Sequence, residues 1–529
     1  MKRWRAQARD IPYGAPKQWA VCRIALALLA LAVVPAIYAG ELRGDAEAAA
    51  RANFAEYFDL LRLPNVPDVP ADMVRNADFL ERAFAQRGFQ TRRVDNAAGL
   101  PAVIAELESR DPGAPTIMFY LHYDGQPVIP AEWSQPEPFE PVVRRTDADG
   151  NRVDVSVDQL QSDPLDPELR VFARSASDDK APIMMLLTAV DLLQSRFEVP
   201  AFNLKVLLDA EEEIGSPSLA AMVASAPEAF QADALVVLDG PEHASGRPTL
   251  VFGNRGITQV TLTVFGANAP LHSGHFGNYA PNPAQRLAAL LATLKDDEGR
   301  VLVPGFYDGV ELTDADRAML EAVGDDEVAL LSRIGIARPD SVGNSYQEAL
   351  QYPSLNVRGL AAAGVGALAA NIIPDKALAE IDMRTTPETD GRRLYELVRL
   401  HIESQGYHLV DGAPSDEERQ RHDRLASLSL NSVQDAMRTP VDSSIGRWAL
   451  DAFRSAVAPR PEEPPIRIRM MGGTVPTDVL VGALNVPFIL VPTVNSDNNQ
   501  HARDENLRIG NFISGIETIH AMLTTPYTP

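Results

Sequence analysis

The stretch FNLKVLLDAEEEIGSPS, residues Phe202 to Ser218, decides the fold. Its first half is apolar and favours a β-strand of the kind that is buried on both faces of a sheet. Its second half contains four carboxylates, Asp209, Glu211, Glu212 and Glu213. Carboxylates at the end of a buried strand repel one another and are costly unless cations compensate them. The stretch therefore predicts a buried strand that ends at a charged site.

Three more apolar runs are of the same type. They are TIMFYLHYD at 116–124, ALVVLDG at 234–240 and PFILVPTVN at 487–495. A helix pattern, APIMMLLTAVDLLQS, lies between the first of them and Phe202. Strands that alternate with helices predict an α/β domain whose sheet is covered by helices. Residues 42–95 are predicted to be helical.

A second region begins near Phe252. Two segments alternate as half-buried strands, GITQVTLTVFG and KALAEIDMRTT, and each is followed by a helix pattern, NPAQRLAALLATL and GRRLYELVRLHIESQG. Two such strand–helix units predict a smaller α+β domain with one open sheet face. The polar residues 410–440 are predicted to be a loop or linker, and residues 307–350 have no clear pattern.

The length of 529 residues favours two domains, and the net charge of −24 argues against nucleic acid as a partner. The N-terminus combines six basic residues with an apolar run at residues 24–39. This run is short for a membrane span, which needs about 20 residues. We expect a signal peptide at 1–39 and a secreted, periplasmic protein; the alternative is an uncleaved membrane anchor.

The single cysteine, Cys22, precedes the apolar run. The mature chain would therefore contain no disulfide, no thiol nucleophile and no thiolate ligand. Any metal must be bound by histidine, aspartate and glutamate.

Each of the four predicted strands leads to side chains that can bind a metal. These are His122 and Asp124, then Glu212 and Glu213, then Asp239, and His501 beyond a loop. Asp178, in RSASDDKAP, directly precedes the predicted helix. In open α/β sheets the site lies at the carboxyl ends of the strands, so these residues can converge. Histidine and carboxylate ligands without cysteine suit zinc, and also cobalt or manganese.

Six motifs occur in one order: LHYDGQPV, RSASDDKAP, DAEEEIGS, VLDG, HSGHFG and NNQHARDE. Together they resemble the di-zinc metallopeptidases that include carnosinase-type dipeptidases, aminoacylase and the glutamate carboxypeptidase that cleaves folates. The resemblance covers about residues 45 to 525. It implies a catalytic α/β domain with a mixed sheet at 42–252 and 441–529. A smaller α+β lid and dimerisation domain would be inserted at 253–440.

The resemblance also implies two divalent metal ions. Asp178 would bridge them, with His122 and Asp239 at one ion and Glu213 and His501 at the other. The loop of Asp178 departs from the family pattern, because three glycines are replaced by Ala173, Ser175 and Ala181. Its backbone is therefore less permissive.

Two more carboxylates have roles that the resemblance implies. Glu212 would be the general base for a metal-bridging water. Asp124 would orient His122 and raise its basicity. Asp209 and Glu211 have no implied role, and they either add negative potential or face solvent.

His272, in HSGHFG, matches a family histidine that enters the active site of the partner subunit and stabilises the oxyanion. This implies a homodimer built through the smaller domain. The alternative is that His272 or His275 is a turn histidine beside Gly274, and the role of His275 stays open.

Arg384 matches the family arginine that binds a substrate carboxylate, and a guanidinium fork suits that group. Gly473 and Thr474, in MGGTVP, resemble the segment that contacts the same carboxylate. The alternatives are an outward-facing strand arginine and a plain turn. Asn254 and Arg255 either bind substrate or form a turn.

These observations predict a secreted di-metal hydrolase of the dipeptidase or carboxypeptidase type. It would cleave a peptide or amide bond in small substrates that have a free carboxylate. One alternative is deacylation of N-acyl amino acids, and another is a non-catalytic peptide-binding homologue.

Overall fold

The structure, a computed structural model, describes residues 42–456 and 464–529. The predicted signal peptide lies outside these ranges. Within them, no helix combines the length and the apolarity that a membrane crossing requires. Secretion and membrane anchoring therefore stay predictions.

The described residues form the following helices and strands. The helices are α1 42–61, α2 Pro70–Gln86, α3 Lys180–Ser195, α4 Leu219–Ser225, α5 Pro227–Phe230, α6 Ser273–Phe276, α7 Pro283–Leu291, α8 Asp314–Glu321, α9 Glu327–Ile334, α10 Tyr346–Ala349, α11 Gly391–Ser404, α12 Asp416–Arg421, α13 Ser444–Ala456, α14 Thr477–Leu484 and α15 Ile509–Thr524. The strands are β1 Gln90–Val94, β2 Ala102–Leu107, β3 Thr116–His122, β4 Val142–Thr146, β5 Arg152–Asp154, β6 Arg170–Phe172, β7 Asn203–Asp209, β8 Ala234–Val237, β9 Thr249–Val251, β10 Gly253–Asn254, β11 Gly256–Phe265, β12 Leu271–His272, β13 Ser354–Ala361, β14 Ile372–Ile373, β15 Lys376–Thr385, β16 His408–Leu409, β17 Leu425–Gln434, β18 Met437–Arg438, β19 Ile466–Ile468, β20 Phe488–Leu490 and β21 Asn506–Arg508. Short 3-10 turns lie at Pro130–Glu132, Val157–Gln161, Glu212–Ile214 and Gly366–Leu368.

A mixed eight-stranded sheet has the order β1-β2-β7-β3-β8-β20-β9-β19. The four strands predicted from apolar runs, β7, β3, β8 and β20, are its central neighbours, and each adjacent pair is parallel. Parallel strands end at the same edge, so the residues that follow them meet there. The predicted fold class, an α/β arrangement with a mixed sheet and a smaller α+β part, is confirmed.

Helices cover both faces of this sheet. Ile117, Phe119 and Leu121 of β3 contribute to a core with α1, α3, α13 and α15, whereas Met118 and Tyr120 face α4, α5 and α14. Helix α3 is buried along nearly its whole length, and each fully buried aliphatic side chain contributes about 1.5–3 kcal/mol. A Cβ at Gly515 would lie 2.3 Å from Met185 Sδ, so glycine lets α15 approach α3 closely.

The smaller sheet has the order β13-β15-β11-β17-β16. Strand β11 pairs antiparallel with β15 and β17, and helices α7 and α11 pack on one face. Inward-facing residues such as Val260, Leu262 and Ile381 are fully buried, and the residues between them are partly exposed. This is the open-faced α+β sheet that the alternating pattern predicted.

The prediction of a loop at residues 410–440 is wrong. Strand β17 lies within it, paired with β11 over nearly its whole length, and α12 begins at a capping box of Ser415 and Glu418. The segment LASLSLNSVQ is polar because one face of the sheet is open, and Leu428 and Leu430 are its partly buried positions. Its period of two was hidden by its serines.

Two more segments differ from the expectation. Residues 42–95 are helical only as far as Gln86; Gly88, with φ +90°, ends α2, and Gln90–Val94 forms the edge strand β1. Residues 307–350, which had no clear pattern, contain the three short helices α8, α9 and α10.

Candidate metal centre and substrate cavity

The acidic run begins with two buried carboxylates that are satisfied by hydrogen bonds. Asp209 accepts from Tyr120 Oη at 2.9 Å, from Ser216 Oγ at 2.6 Å and from two backbone N–H groups. Glu211 is 2 % exposed and accepts from Ser218 Oγ at 3.1 Å. The alternative that these two residues face solvent is therefore wrong, whereas Asp209 does add negative potential, because its charge raises the pKa of Asp124. They fix the turn that presents Glu212 and Glu213.

The five predicted metal ligands converge at the carboxyl edge of the large sheet. Possible ligand atoms of His122, Asp178 and Asp239 all lie within 4.8 Å of one another, and so do those of Asp178, Glu213 and His501. Asp178 Oδ1 lies 2.9 Å from His122 Nε2, and its Oδ2 lies 3.1 Å from His501 Nε2. Asp178 thus belongs to both groups, as a bridging ligand would.

The charges of this cluster suit divalent cations. In the described chain, no lysine or arginine forms an ion pair with Asp178, Glu213 or Asp239. Burial raises the pKa of Asp239 to about 7, and the neighbouring Asp178 adds to the rise. Imidazole nitrogens and carboxylate oxygens at this spacing are suitable zinc ligands, and cations would supply the compensation that the acidic run lacks.

Neighbouring carboxylates raise the pKa of both histidines of the cluster. Burial lowers the pKa of His122, but its hydrogen bonds to Asp124 and Asp178 outweigh burial and raise the pKa well above its usual range. Hydrogen bonds to Asp178 and Glu213 raise the pKa of His501 to about 10. A metal ion binds the neutral form of histidine, so a raised pKa means that metal binding competes with protonation of His122 and His501.

Asp124 is fully buried and contacts both sides of the cluster. Its Oδ1 lies 3.2 Å from His122 Nδ1, and its carboxylate accepts from the backbone N–H groups of Glu212 at 3.2 Å and Glu213 at 3.0 Å. Burial raises the pKa of Asp124 to about 6. Asp124 therefore orients a ligand histidine and also the turn that contains the predicted base.

Glu212 belongs to neither ligand group but lines the cavity beside them. Burial raises the pKa of its carboxyl well above its usual range, and neighbouring acidic groups add to the rise. A carboxylate with an elevated pKa accepts a proton readily. Glu212 is therefore chemically suited to act as a base next to the metal centre.

Glu505 is fully buried and was not predicted as a site residue. Its carboxylate accepts from Arg174 Nη1 and Ser177 Oγ, each at 2.8 Å, and from the backbone N–H groups of Ser175, Ser177 and Asp178, each at 2.9 Å. Its position four residues after His501, in NNQHARDE, was the only signal. Glu505 connects the loop of Asp178 to the loop of His501.

Two glutamines were also missed. Gln126 Nε2 donates to Glu213 Oε2 at 2.7 Å, and Gln500 Nε2 donates to Asp178 Oδ2 at 3.3 Å.

Ser175, where the family has glycine, adopts the left-handed region at φ 60°, and its Oγ accepts a hydrogen bond from Asn65 Nδ2 at 3.0 Å. A serine therefore occupies the left-handed position, which favours glycine.

The three predicted substrate-binding residues line the same cavity as the ligand groups. Arg384 Nη1 donates to Thr474 Oγ1 at 2.7 Å, and Thr474 Oγ1 donates to the backbone oxygen of Arg255 at 2.7 Å. The nearest carboxylate to Arg384 is Asp382, at 3.9 Å. Arg384 thus keeps capacity for an anionic group, and Gly473 lies beside it.

Asn254 and Arg255 are engaged within the fold. Asn254 Oδ1 accepts from Thr477 Oγ1 at 2.7 Å, and Arg255 Nη2 donates to the backbone oxygen of Tyr352 at 2.7 Å. Both side chains are buried, and neither lines the cavity. These contacts argue against substrate binding, and the turn interpretation is wrong as well, because Asn254 lies in strand β10 and Arg255 joins β10 to β11.

His272 lies apart from the metal cluster of its own chain. It is exposed at the end of β12, where its Nδ1 accepts from the backbone N–H of Gly274 at 3.1 Å. The ring centroid of His275 lies 4.5 Å away. The contact of His272 with a partner subunit stays a prediction.

The cavity has a volume of about 1280 Å³ and draws on separate parts of the chain. Its walls include residues 471–475, Arg384 of β15 and four members of the metal cluster, Asp178, Glu213, Asp239 and His501. Helices α9 and α10, from the segment without a clear pattern, supply Leu330, Arg333 and Tyr346. The least predictable segment thus forms part of the candidate substrate site.

Comparison with known proteins agrees with this geometry. The model of peptidase family M20/M25/M40 matches residues 118–525. The chain belongs to this family. The resemblance to di-zinc metallopeptidases is confirmed, and so is the prediction of an enzyme of the metallopeptidase class.

Similar proteins include M20 relatives of known name. The Cys-Gly metallodipeptidase dug1 of Schizosaccharomyces pombe is 25% identical over 478 residues, which are 87% of this chain and 92% of the relative. The Beta-Ala-His dipeptidase of Homo sapiens is 24% identical over 427 residues, 80% of this chain and 76% of the relative.

The M20 metallo-carboxypeptidase Sso-CP2 of Sulfolobus solfataricus has a similar structure, with a TM-score of 0.72 and 26% identity over 89% of this chain and 98% of that one. The dipeptidase Dug1p of Saccharomyces cerevisiae, at 22% identity, shares the fold with a TM-score of 0.71 over 92% of this chain and 98% of that one.

Proposed function

We propose that this M20 peptidase is a two-metal hydrolase that cleaves the peptide bond of dipeptides with a free carboxylate. One observation carries the proposal: Asp178 belongs to both ligand groups, in a cavity that also contains Glu212 and Arg384. Similarity to proteins named Cys-Gly metallodipeptidase and Beta-Ala-His dipeptidase supports dipeptides as the substrate class.

The residues fit two divalent ions, with zinc as the first choice and cobalt or manganese as alternatives. His122, Asp178 and Asp239 would hold one ion, and Asp178, Glu213 and His501 the other. Bound there, the two ions would polarise the scissile carbonyl and make a water nucleophilic near neutral pH.

The side chains of this chain would supply the remaining steps. Glu212 takes a proton from the attacking water and gives it to the leaving amine. Arg384 and Thr474 bind the substrate carboxylate and so orient the scissile bond. Asp124 keeps His122 and the turn of Glu212 in place.

The test is to measure metal content and hydrolysis for wild type and for Glu212→Gln, with a panel of dipeptides and N-acyl amino acids. We expect about two metals per chain in both proteins. We expect kcat for a dipeptide to fall by about 10²- to 10⁴-fold in the variant. Cleavage of N-acyl amino acids alone would identify a deacylase instead. A wild-type protein without metal would overturn the proposal.

A homodimer built through the smaller sheet is part of the proposal. The segments around β12 and β14 lie side by side, and they expose Tyr279, Val365 and Leu368, which are 86%, 83% and 80% exposed. Large apolar side chains that are this exposed would be covered in a protein–protein interface. The predicted role of His272 in the partner's active site would bury this surface.

Mixing two inactive variants tests the dimer. Glu212→Gln and His272→Ala should each be inactive alone. In a mixed dimer, the chain with intact Glu212 receives an intact His272 from its partner, so activity should return. Absence of recovery, together with a monomer by analytical ultracentrifugation, would reject both the dimer and the role of His272.

Export to the periplasm is also proposed, on the basis of the N-terminal pattern alone. N-terminal sequencing of the protein from cell fractions tests it. A mature periplasmic chain that starts near residue 40 supports export, whereas a full-length chain in the membrane fraction supports an anchor.

A further inference from the structure

Glu242 shares the cavity with the metal cluster but has no part in the proposed mechanism. It lies three residues after Asp239, in the loop that follows β8. Its backbone N–H donates to the oxygen of Val494 at 2.8 Å, which fixes this loop against the segment after β20. Its side chain is held as well, because Asn511 Nδ2 donates to Oε2 at 2.8 Å.

The other carboxylates that line the cavity in the described chain have other functions. Four belong to the proposed metal centre: Asp178, Glu212, Glu213 and Asp239. Asp325 lies 3.0 Å from His243 Nε2. Asp326 accepts from the backbone N–H of Ala329 at 2.9 Å and caps α9. Among the described residues, Glu242 belongs to neither ligand group, caps no helix and forms no ion pair, and its carboxylate is held by the amide of Asn511.

The carboxylate of Glu242 forms no ion pair with a lysine or arginine in the described part of the chain. Burial raises the pKa of Glu242 well above its usual range, and the amide of Asn511 and the charge of Arg508 offset this only in part. A bound ammonium group would supply the missing charge and favour the ionised carboxylate. Arg508 acts on Glu242 without forming an ion pair with it, so a cationic group of the ligand would be the direct partner of this carboxylate.

A dipeptide has both charges that the cavity can receive. Its carboxylate is the group expected at Arg384 and Thr474, and its other end is an α-ammonium. An N-acyl amino acid has the carboxylate but no ammonium. The side chains that line the cavity therefore distinguish the two substrate classes that the sequence left open.

We propose that Glu242 binds the free α-ammonium group of the substrate and selects dipeptides over N-acyl amino acids. This inference rests on the proposed function. The test uses alanyl-leucine and N-isobutyryl-leucine, which differ only in that a methyl group replaces the ammonium. Steady-state kinetics are measured for wild type, Glu242→Gln and the control Asp325→Asn, all loaded with zinc.

Wild type should have a higher kcat/KM for alanyl-leucine than for N-isobutyryl-leucine. Glu242→Gln should lower the kcat/KM for alanyl-leucine by about 10- to 100-fold, mainly through KM, because a charged hydrogen bond is lost. The kcat/KM for N-isobutyryl-leucine should change by less than about threefold, because this substrate has no ammonium group that could bind Glu242. Asp325→Asn changes another carboxylate in the cavity wall. It should change the kcat/KM for both substrates by the same factor.

Equal losses on both substrates in Glu242→Gln, or no loss on either, would overturn the inference while the proposed function stands. If the variant does not fold, wild type still decides, because equal kcat/KM for the two substrates would overturn the inference. A wild-type enzyme that cleaves neither substrate would reject the proposed function, and the inference with it.

Discussion

The first half of the metal centre contains His122 and Asp239, the second half contains Glu213 and His501, and Asp178 belongs to both. The two halves have similar ligands, but different parts of the fold hold these ligands in place. His122 ends the central strand β3, and its side chain is 1% exposed. His501 lies in a loop, with a left-handed φ of 61° and a side chain that is 54% exposed. The first half is fixed by the sheet and by Asp124. The second half depends on contacts between loops, so the same ligand types can have unequal rigidity and unequal energetic weight.

Glu505 is the link between the halves. It lies four residues after His501 and binds the backbone of the Asp178 loop through three N–H groups. The exposed half is thus tied to the buried half through a residue that belongs to neither ligand group. The predictions that follow test whether the halves differ as their burial indicates.

The largest expected effect is on the stability of the metal-free protein. His122→Ala should lower the free energy of unfolding by about 3–5 kcal/mol, because it leaves Asp124 and Asp178 buried without their partner. His501→Ala should lower it by less than about 1 kcal/mol, since its ion pairs are half exposed. Urea unfolding of chelator-treated protein measures both. Equal losses would contradict the comparison.

An intermediate effect is expected from the link between the halves. Glu505→Gln places an NH₂ group where backbone N–H groups need an acceptor, so Asp178 should lose its fixed orientation. We expect zinc affinity to fall by about 10- to 100-fold in competition with a chelator. The matched control is Asp497→Asn, on the same loop, where the carboxylate pairs with Arg170 at 2.8 Å.

The control should change zinc affinity by less than about threefold, because Asp497 does not contact the Asp178 loop. If both variants bind zinc as wild type does, Glu505 only stabilises the fold. If both lose affinity equally, the loop as a whole matters rather than this contact.

The smallest expected effect is on the pH dependence of the exposed half. The pKa of His501 is raised to about 10, so the folded, metal-free protein binds this proton more tightly than the unfolded chain does. Its contribution is fully present below a pH of about 6.5 and is lost as pH rises through the folded pKa. Because the ring is half exposed, the contribution is less than about 1 kcal/mol.

The check is urea unfolding of metal-free wild type and His501→Asn from neutral pH to pH values above the folded pKa. The difference between the two should shrink as pH rises. A constant difference across this range would show that the ion pairs of His501 do not contribute.

The centre of the large sheet was predictable because its strands are buried on both faces and therefore appear as continuous apolar runs. The metal ligands were predictable because parallel strands end at one edge. Strand β17 was not, because its serines hide the alternating pattern that identified β11 and β15 of the same sheet. Helices α8 to α10 were not, because each is short and only partly buried.

The supporting carboxylates were the hardest to predict. Asp209 and Glu505 look like solvated acidic residues in the sequence, yet both are fully buried. Their partners are backbone and side-chain donors, and for Glu505 these lie more than 300 positions away. Local sequence carries no signal for hydrogen bonds between segments so far apart.

The sequence by itself determined which strands are buried, which residue types end them and hence which ligands can meet. These properties are local, because burial and side-chain chemistry are set by each segment's own pattern. The tertiary structure alone decided that Asp178 lies in both ligand groups, that Glu505 joins the two loops and that Glu242 forms no ion pair with another described residue. Those facts depend on which distant donors and charges surround each carboxylate, and only the packed chain brings them within a few ångströms.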